Sequence, residues 1–252
     1  MAPYVAPHSP TVQPDIIGLK LAPPSLTYPF GTDEASRDVL SRLIFGARVS
    51  LSVAFLSVAV SATIGTAYGA LAGYANGALD SMMMRVVDAL LAIPRVLLLI
   101  AVATLWYPLS LPGLILLLGL TGWFGVSRLV RSMVVAARED EFVTAARALG
   151  ASDRRILVHH ILPQVVSPVL VAATLGIGNV VVIEAGLTAF NMGVRPPNAS
   201  WGSVFFDGIG AVRTAWWIST FAGLALIVTV LAVNLVADGL RRALSGRQLP
   251  AR

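Results

Sequence analysis

The chain has 252 residues, of which 56% are hydrophobic and 12% are charged. An average globular chain carries about twice that charged share, roughly 25%. So few polar side chains do not cover a water-exposed surface, and the composition therefore predicts an integral membrane protein. The net charge of +5 is typical of arginine-rich cytoplasmic loops and does not favour a nucleic-acid partner. Because there are 0 cysteines, disulfides and thiolate metal sites are excluded.

The sequence lacks the features of an ATPase or an intramembrane enzyme. A nucleotide-binding P-loop ends in Lys-Ser/Thr, whereas Lys20, the only lysine, precedes Leu21. If ATP powers this protein, the ATP and its magnesium bind to another chain, and this chain needs no cofactor or metal. An intramembrane protease needs a base beside its nucleophile, but His8, His159 and His160 all lie outside the predicted spans. A transport subunit and a membrane scaffold without transport remain as alternatives.

Five apolar segments are long enough to cross a membrane core of ~30 Å as helices. We predict them at residues 49–74, 83–106, 112–136, 168–190 and 216–237. The expected fold is an all-α, polytopic helical bundle. The first segment repeats a small residue at every fourth position, which permits close approach of another helix: Ser57, Ser61, Gly65, Gly69 and Gly73.

Arginine bias sets the expected orientation, because cytoplasmic loops are enriched in Lys and Arg. The polar stretch 138–164 and the tail 238–252 are both arginine-rich, and they are separated by two predicted spans. We therefore expect both on the cytoplasmic side of a membrane domain covering 49–237. The loop 188–215 and an N-terminal segment 1–48 with an amphipathic stretch are then external. Since 1–48 shows no signal-peptide pattern, we expect a shortened or misassigned start.

Residues 140–164 predict two short helices joined by a tight turn. Phe142, Ala145, Ala146 and Leu149 follow helical spacing and form one apolar stripe. The acidic residues 139–141 suit the first turn of that helix. Gly150 is placed to end it in a left-handed conformation. Ser152 is then expected to cap a second short helix that ends before Pro163.

This stretch resembles the EAA loop of permease subunits in bacterial ABC importers, through Ala145-Ala146, Gly150 and Ile161-Leu162-Pro163. The wider run 141–152 resembles the second permease of dipeptide, oligopeptide and nickel importers. Further blocks of that branch follow its order: Gly31-Thr32-Asp33 with 37–42 and 46–48, Met84 to Asp88 with Ala92-Ile93-Pro94, and Pro196-Pro197 through Ser200-Trp201-Gly202. The likeness extends from about residue 22 to 245.

The resemblance implies a type I ABC importer permease in the bacterial inner membrane. Its implied partners are a homologous permease forming a heterodimer, two ATPase subunits, an external binding protein and membrane lipid. The implied cargo is di- or oligopeptides, with nickel chelates, glutathione or another small solute as the alternative. The implied ATPase-coupling residues are Glu141, Thr144, Ala145, Ala146, Arg147, Gly150, Ser152, Leu162 and Pro163.

The sequence departs from this family at three places. Thr144 replaces the glutamate of the EAA motif, although Glu141 lies one turn earlier. Arg95 follows Pro94, where relatives mostly have a small or neutral residue. The family usually has six helices, and this chain begins where the first would end.

Charges inside spans are costly, so each indicates a role or a partner. Asp88 and Arg95 are seven residues apart on nearly the same helix face, and both are candidates for the translocation path. We expect Asp88 to form an interfacial ion pair with Arg85, three residues away on the same helix, and the alternative for Arg95 is pairing with Asp88 or a partner subunit. Trp201 and Gly202 are candidate contacts of the external binding protein.

Overall fold

The computed structural model describes residues 2–75 and 77–245. Within these ranges the secondary structure is helical, and the only extended pairing is an isolated bridge between Thr32 and Asp38. After a single turn at Ala2–Val5, the helices are α1 Val39–Ala75, α2 Gly77–Ala92, α3 Arg95–Leu105, α4 Leu111–Arg138, α5 Glu141–Ala148, α6 Asp153–Ala189, α7 Trp201–Ile209 and α8 Trp216–Ser245. The predicted all-α class is confirmed.

Four of these helices, α1, α4, α6 and α8, are long and apolar enough to cross a membrane. The pair α2 and α3 passes the same test together but is bent by 84°, so the described residues hold up to five spans. The predicted second span, 83–106, is therefore not one straight helix. Pro94 lies at the break because proline lacks an N–H donor and disfavours the helical conformation of the residue before it.

Two further helix boundaries differ from the sequence prediction because hydropathy misses polar helix ends. Helix α1 begins at Val39 rather than at 49, since its polar first turns face partners within the chain, among them Arg42. Helix α8 extends to Ser245 rather than ending at 237, although its last turns carry arginines. The tail predicted at 238–252 is therefore helical as far as Ser245, and its remainder, 246–252, lies outside the described residues.

The second short helix predicted between Ser152 and Pro163 is instead the beginning of the long helix α6. A π-helical segment, Leu157–Ile161, lies within it directly before Leu162 and Pro163. Proline removes one i→i−4 hydrogen bond, and here the missing donor falls where the hydrogen-bond spacing already changes. Helix α6 therefore continues through a proline that was expected to end it.

The chain divides into two compact units, and unit 2 consists of residues 56–75, 77–99, 116–176 and 234–245. Its packing depends on the small residues of α1. A Cβ atom on Gly65 would come within 2.8 Å of the Trp123 carbonyl oxygen, and one on Gly73 within 2.8 Å of the Arg131 carbonyl oxygen. The predicted small-residue ridge thus packs against α4 of the same chain.

Unit 1 consists of residues 2–55, 100–115 and 177–233. Its N-terminal segment is fixed to the helices by aromatic contacts. The Trp217 Nε1 donates to the Thr32 carbonyl oxygen at 3.2 Å, and the rings of Phe30 and Phe221 stack with centroids 4.0 Å apart. The bend at Gly31 (φ +69°) brings its backbone against Trp217, where a side chain would collide.

Candidate functional site

The turn after α5 has the geometry predicted for it. Gly150 has φ +81°, and its N–H donates to the Arg147 carbonyl oxygen at 3.0 Å. The N–H of Ala151 donates to the Ala146 carbonyl oxygen at 3.1 Å. This pair of bonds is a Schellman motif, which ends a helix with a left-handed residue, usually glycine. The sequence thus fixes the angle at which α5 meets the start of α6.

Helix α5 packs against the rest of unit 2 through one buried side chain, and its opposite face is exposed. Val143 is fully buried in an apolar cluster that includes Ile156 and Ile161. The predicted stripe faces elsewhere: Phe142 is 38% exposed and Leu149 is 89% exposed. Ala146 is partly buried against the same cluster. We call Phe142, Ala145 and Leu149 the exposed stripe, since all three are exposed while Val143 is buried.

The other predicted coupling residues lie beside this helix. Ser152 occupies the N-cap position of α6, although its side chain makes no capping bond. Thr144 and Arg147 line a cavity of about 400 Å³ with Tyr74, whose hydroxyl donates to Asp153 at 2.6 Å. The remaining predicted coupling residues lie in α5, in the turn after it and in α6. Glu141, Gly150 and Pro163 are exposed, and Leu162 is half-buried.

The candidate path residues are not paired with each other. The Asp88 carboxylate accepts a hydrogen bond from Arg128, not from Arg85 or Arg95. The Nη2 atom of Arg95 donates to the Leu118 carbonyl oxygen at 2.9 Å. Its Nε atom is buried and has no hydrogen-bond partner among the described residues. The expected pairing of Asp88 with Arg85 is therefore wrong, and so is the alternative in which Arg95 pairs with Asp88. The geometric reason is that the bend at the break places Arg95 against α4.

Trp201 and Gly202 lie inside unit 1. The indole of Trp201 is 6% exposed, and its Nε1 atom donates to the Leu43 carbonyl oxygen at 3.0 Å. Gly202 packs against Ala185, whose Cα atom would lie 2.6 Å from an added Cβ. Both residues therefore hold helices together and present no side chain at the surface of the chain.

A buried carboxyl group organises the same region. Glu184 is fully buried, and Ser200 Oγ donates to its Oε1 atom at 2.8 Å. Ser200 also caps α7 through a capping box with Ser203. Ser50 Oγ lies 3.4 Å from the Oε2 atom of Glu184 and accepts from the Trp201 N–H at 3.1 Å. Glu184 therefore holds α1, α6 and the start of α7 together within unit 1.

Two features of unit 1 were not identified as sites from the sequence. The first is an ion-pair network in which Arg42 contacts Asp33 at 2.5 Å and Asp207 at 2.8 Å. The second is the guanidinium of Arg195, which lies 4.0 Å from the ring centroid of Tyr107. Asp207 and Tyr107 are distant from their partners in sequence, so spacing alone gave no indication of either contact. Among the described residues, no group of three or more His, Cys, Asp or Glu side chains has an arrangement that could hold a metal ion.

The fold and the family agree on the class of protein. Residues 65–249 match the family described as the binding-protein-dependent transport system inner membrane component, and the chain belongs to this family. In fold, the chain is similar to the MetNI methionine ABC transporter in an inward-facing conformation, with a TM-score of 0.64 and 22% identity, covering 80% of this chain and 95% of that one. This likeness supports the predicted ABC importer permease fold.

More similar sequences belong to named peptide permeases. The chain is 38% identical to the dipeptide transport system permease protein DppC of Alkalihalophilus pseudofirmus, covering 89% of this chain and 74% of that protein. It is 37% identical to a putative peptide transport system permease protein of Brucella suis (98% and 82% covered). The oligopeptide permease protein OppC of Bacillus subtilis is 35% identical (88% and 72% covered). The predicted family branch is confirmed.

Proposed function

We propose that this chain pairs with a homologous permease and encloses a path for di- or oligopeptides delivered by an external binding protein. Two ATPase subunits, which bind ATP and magnesium, supply the energy, and this chain hydrolyses nothing. The relatives named for dipeptide and oligopeptide transport support the peptide cargo over nickel chelates, glutathione or another small solute. The observation that carries the proposal is the exposed stripe on α5, a helix that Val143 anchors in the buried cluster of unit 2.

The proposed orientation follows the arginine-rich segments. The segment 138–164, which contains α5 and the start of α6, and the end of α8 face the cytoplasm. The N-terminal segment and the loop 188–215 face outward. Arg154, Arg155, Arg241 and Arg242 are exposed on the proposed cytoplasmic side, as the positive-inside tendency requires. This arrangement makes α5 accessible to an ATPase in the cytoplasm. It also puts the coupling residues Glu141, Thr144, Arg147 and Gly150 on the same side of the membrane.

Coupling needs a contact that transmits force rather than a flexible loop. Val143, Ile156 and Ile161 belong to one buried cluster, which α4 also joins through Val130 and Val134. A displacement of α5 is therefore passed to α4 and α6, because close-packed interiors transmit strain. The Schellman turn at Gly150 keeps α5 at a fixed angle while it moves. An ATPase that holds the exposed stripe would in this way rock two spans at once.

We expect Leu149→Glu to remove the ATPases from the complex and to lower peptide uptake at least tenfold. Leu149 is 89% exposed on the stripe, so the substitution leaves the core of unit 2 intact. In a docked complex, however, it would bury an unpaired charge, which costs several kcal/mol. The measurement is the amount of ATPase that co-purifies with the variant, together with uptake in reconstituted liposomes.

The matched control for this variant is Leu26→Glu. Leu26 is fully exposed in the N-terminal segment, far along the chain from α5, and receives the same change in charge. We expect this control to retain its ATPases. If Leu149→Glu also retained them and kept ATP-driven uptake, α5 would not be the docking helix and the coupling proposal would fail.

We propose that Arg95 lies on the translocation path together with Asp88. Arg95 is half-buried and has no carboxylate partner among the described residues, so the accessible part of its guanidinium keeps donors free for a substrate carboxylate. Arg95→Ala is expected to lower peptide uptake about tenfold, which corresponds to losing one charge-assisted hydrogen bond, without lowering ATPase assembly. Arg95→Lys preserves the charge and is expected to retain part of the uptake, and exposed Arg85→Ala is the control. Equal uptake by Arg95→Ala and the parent would exclude Arg95 from the path.

A further inference from the structure

Unit 1 contains a cleft of about 1000 Å³ that none of the coupling or path residues accounts for. Its walls come from the N-terminal segment, from Tyr107 and from the loop around Arg195. The volume lies at the upper end of the range of small-molecule sites, about 300–1,000 Å³. The charged residues that face it carry both signs: Lys20, Glu34, Arg37, Arg42, Arg195 and Asp207.

Most of the arginines in this cleft already have carboxylate partners. Arg42 pairs with Asp33 and Asp207, and Arg37 pairs with Asp33 at 2.8 Å. Arg195 differs, because no carboxylate of the described residues pairs with it. Its donors are therefore available to a ligand in the cleft.

The guanidinium of Arg195 is also held in place. It lies over the ring of Tyr107, with its Cζ atom 4.0 Å from the ring centroid, and the side chain is half-buried. Stacking on an aromatic ring leaves the edge of a guanidinium free for bidentate contact with a carboxylate. A second cavity of about 170 Å³ adjoins Arg195, and Leu109, Leu111 and Leu114 line it together with Ser110 and Asn198. Arg195 thus lines both the charged cleft and a smaller space whose wall is partly formed by leucines.

The opposite charge in the cleft is also accessible. Asp207 keeps 46% of its side chain exposed although it pairs with Arg42, and Glu34 is exposed without an ion-pair partner among the described residues. A ligand with a carboxylate at one end and an ammonium at the other would therefore find a partner for each. Short peptides with free termini have this arrangement of charge.

We propose that this cleft is a peptide subsite of the permease, in which Arg195 binds the C-terminal carboxylate while Asp207 and Glu34 face the N-terminal ammonium. This inference rests on the proposed peptide transport. Tyr107 is a positioning residue that orients the guanidinium. The adjoining cavity receives an apolar side chain of the peptide. The permease then contributes its own recognition of free peptide termini, in addition to that of the binding protein.

The test compares two cargoes in the complete transporter, reconstituted in liposomes with its binding protein and ATPases. One cargo is a dipeptide with a free carboxylate, and the other is the same dipeptide with a C-terminal amide, each at a concentration that saturates the binding protein. We expect Arg195→Ala to lower uptake of the free dipeptide about tenfold, as for loss of a charged hydrogen bond. Uptake of the amide should change less than twofold. Tyr107→Leu should reduce the preference for the carboxylate, and Tyr107→Phe should preserve it.

Arg213→Ala is the matched control, because Arg213 is an exposed arginine of unit 1 that does not line the cleft. It should leave uptake of both cargoes unchanged. If Arg195→Ala lowered both cargoes equally together with the ATPase stimulation by the binding protein, the cleft would dock that protein and the inference would fail. Equal uptake by Arg195→Ala and the parent would also overturn it. If the parent transporter moved neither peptide, the proposed function itself would fail, which is a separate result.

Discussion

Replacing Gly69 by alanine is expected to destabilise unit 2 by about 1–3 kcal/mol, the usual cost of overpacking a core. A Cβ atom at this position would overlap the Ser127 carbonyl oxygen and lie 2.9 Å from the Cβ atom of Val130. The contacted oxygen belongs to the backbone of α4, so no side-chain rotation relieves the collision. The two helices must separate, and the same separation would loosen the contacts of Gly65 and Gly73.

The matched control for Gly69→Ala is Gly125→Ala in α4. A Cβ atom on Gly125 would meet nothing within 4 Å, and alanine favours a helix over glycine by roughly 0.5–1 kcal/mol. We therefore expect unchanged or slightly higher stability for this control. The measurement is the midpoint of thermal unfolding in detergent, where Gly69→Ala should lie several degrees lower, at about 2–4 °C per kcal/mol. Equal midpoints for the two variants would show that α1 and α4 do not depend on this close contact.

The features predicted correctly from the sequence are those that local spacing determines. Helical periodicity indicated α5, and Gly150 indicated its left-handed end. Small residues at every fourth position indicated a close helix contact, which the structure places between α1 and α4. Each of these features depends on residues within a few turns of one another, so hydropathy, small-residue spacing and helix-capping rules were sufficient.

The features missed depend on partners that are distant in sequence. Asp88 was expected to pair within its own helix but pairs with Arg128 of α4. Helix α7 lies in the loop 188–215, where no helix was predicted, although the Ser200 and Ser203 capping box marks its beginning. Trp201 was a candidate contact of the external binding protein, yet its indole is buried and donates to the Leu43 carbonyl oxygen. Which helices are neighbours decides the contacts of Asp88 and Trp201, and hydropathy carries no information about it. The capping box is different, because its two serines are close in sequence.

The charged N-terminal segment shows why the first span was predicted too short. Arg42 reduces the hydropathy of the first turns of α1, which places the predicted start near residue 49. In the structure Arg42 is 4% exposed, and its charge is matched by Asp33 and Asp207. A buried arginine with two carboxylate partners is compatible with a helix, because the desolvation of each charge is offset by its neighbours.

Arg42→Ala is expected to destabilise unit 1 by about 1–3 kcal/mol, because the buried Asp33 carboxylate loses one of its two arginine partners. Asp33 is 2% exposed and would keep Arg37 alone, while Asp207 would lose its 2.8 Å contact. The segment that holds Thr32 against Trp217 would then loosen. Fluorescence of the buried Trp217 indole and the unfolding midpoint should both change in this variant.

Glu139→Ala is the control for Arg42→Ala, because it removes an ion pair whose carboxylate is 74% exposed, at 3.2 Å from Arg138. Exposed pairs contribute about 0–1 kcal/mol, so its midpoint should stay close to that of the parent. Arg42→Lys keeps the charge but loses the two-sided geometry of the guanidinium, and it should lie between Arg42→Ala and the parent. If Arg42→Ala and Glu139→Ala had equal midpoints, the network around Asp33 would not stabilise unit 1, and the early start of α1 would need another cause.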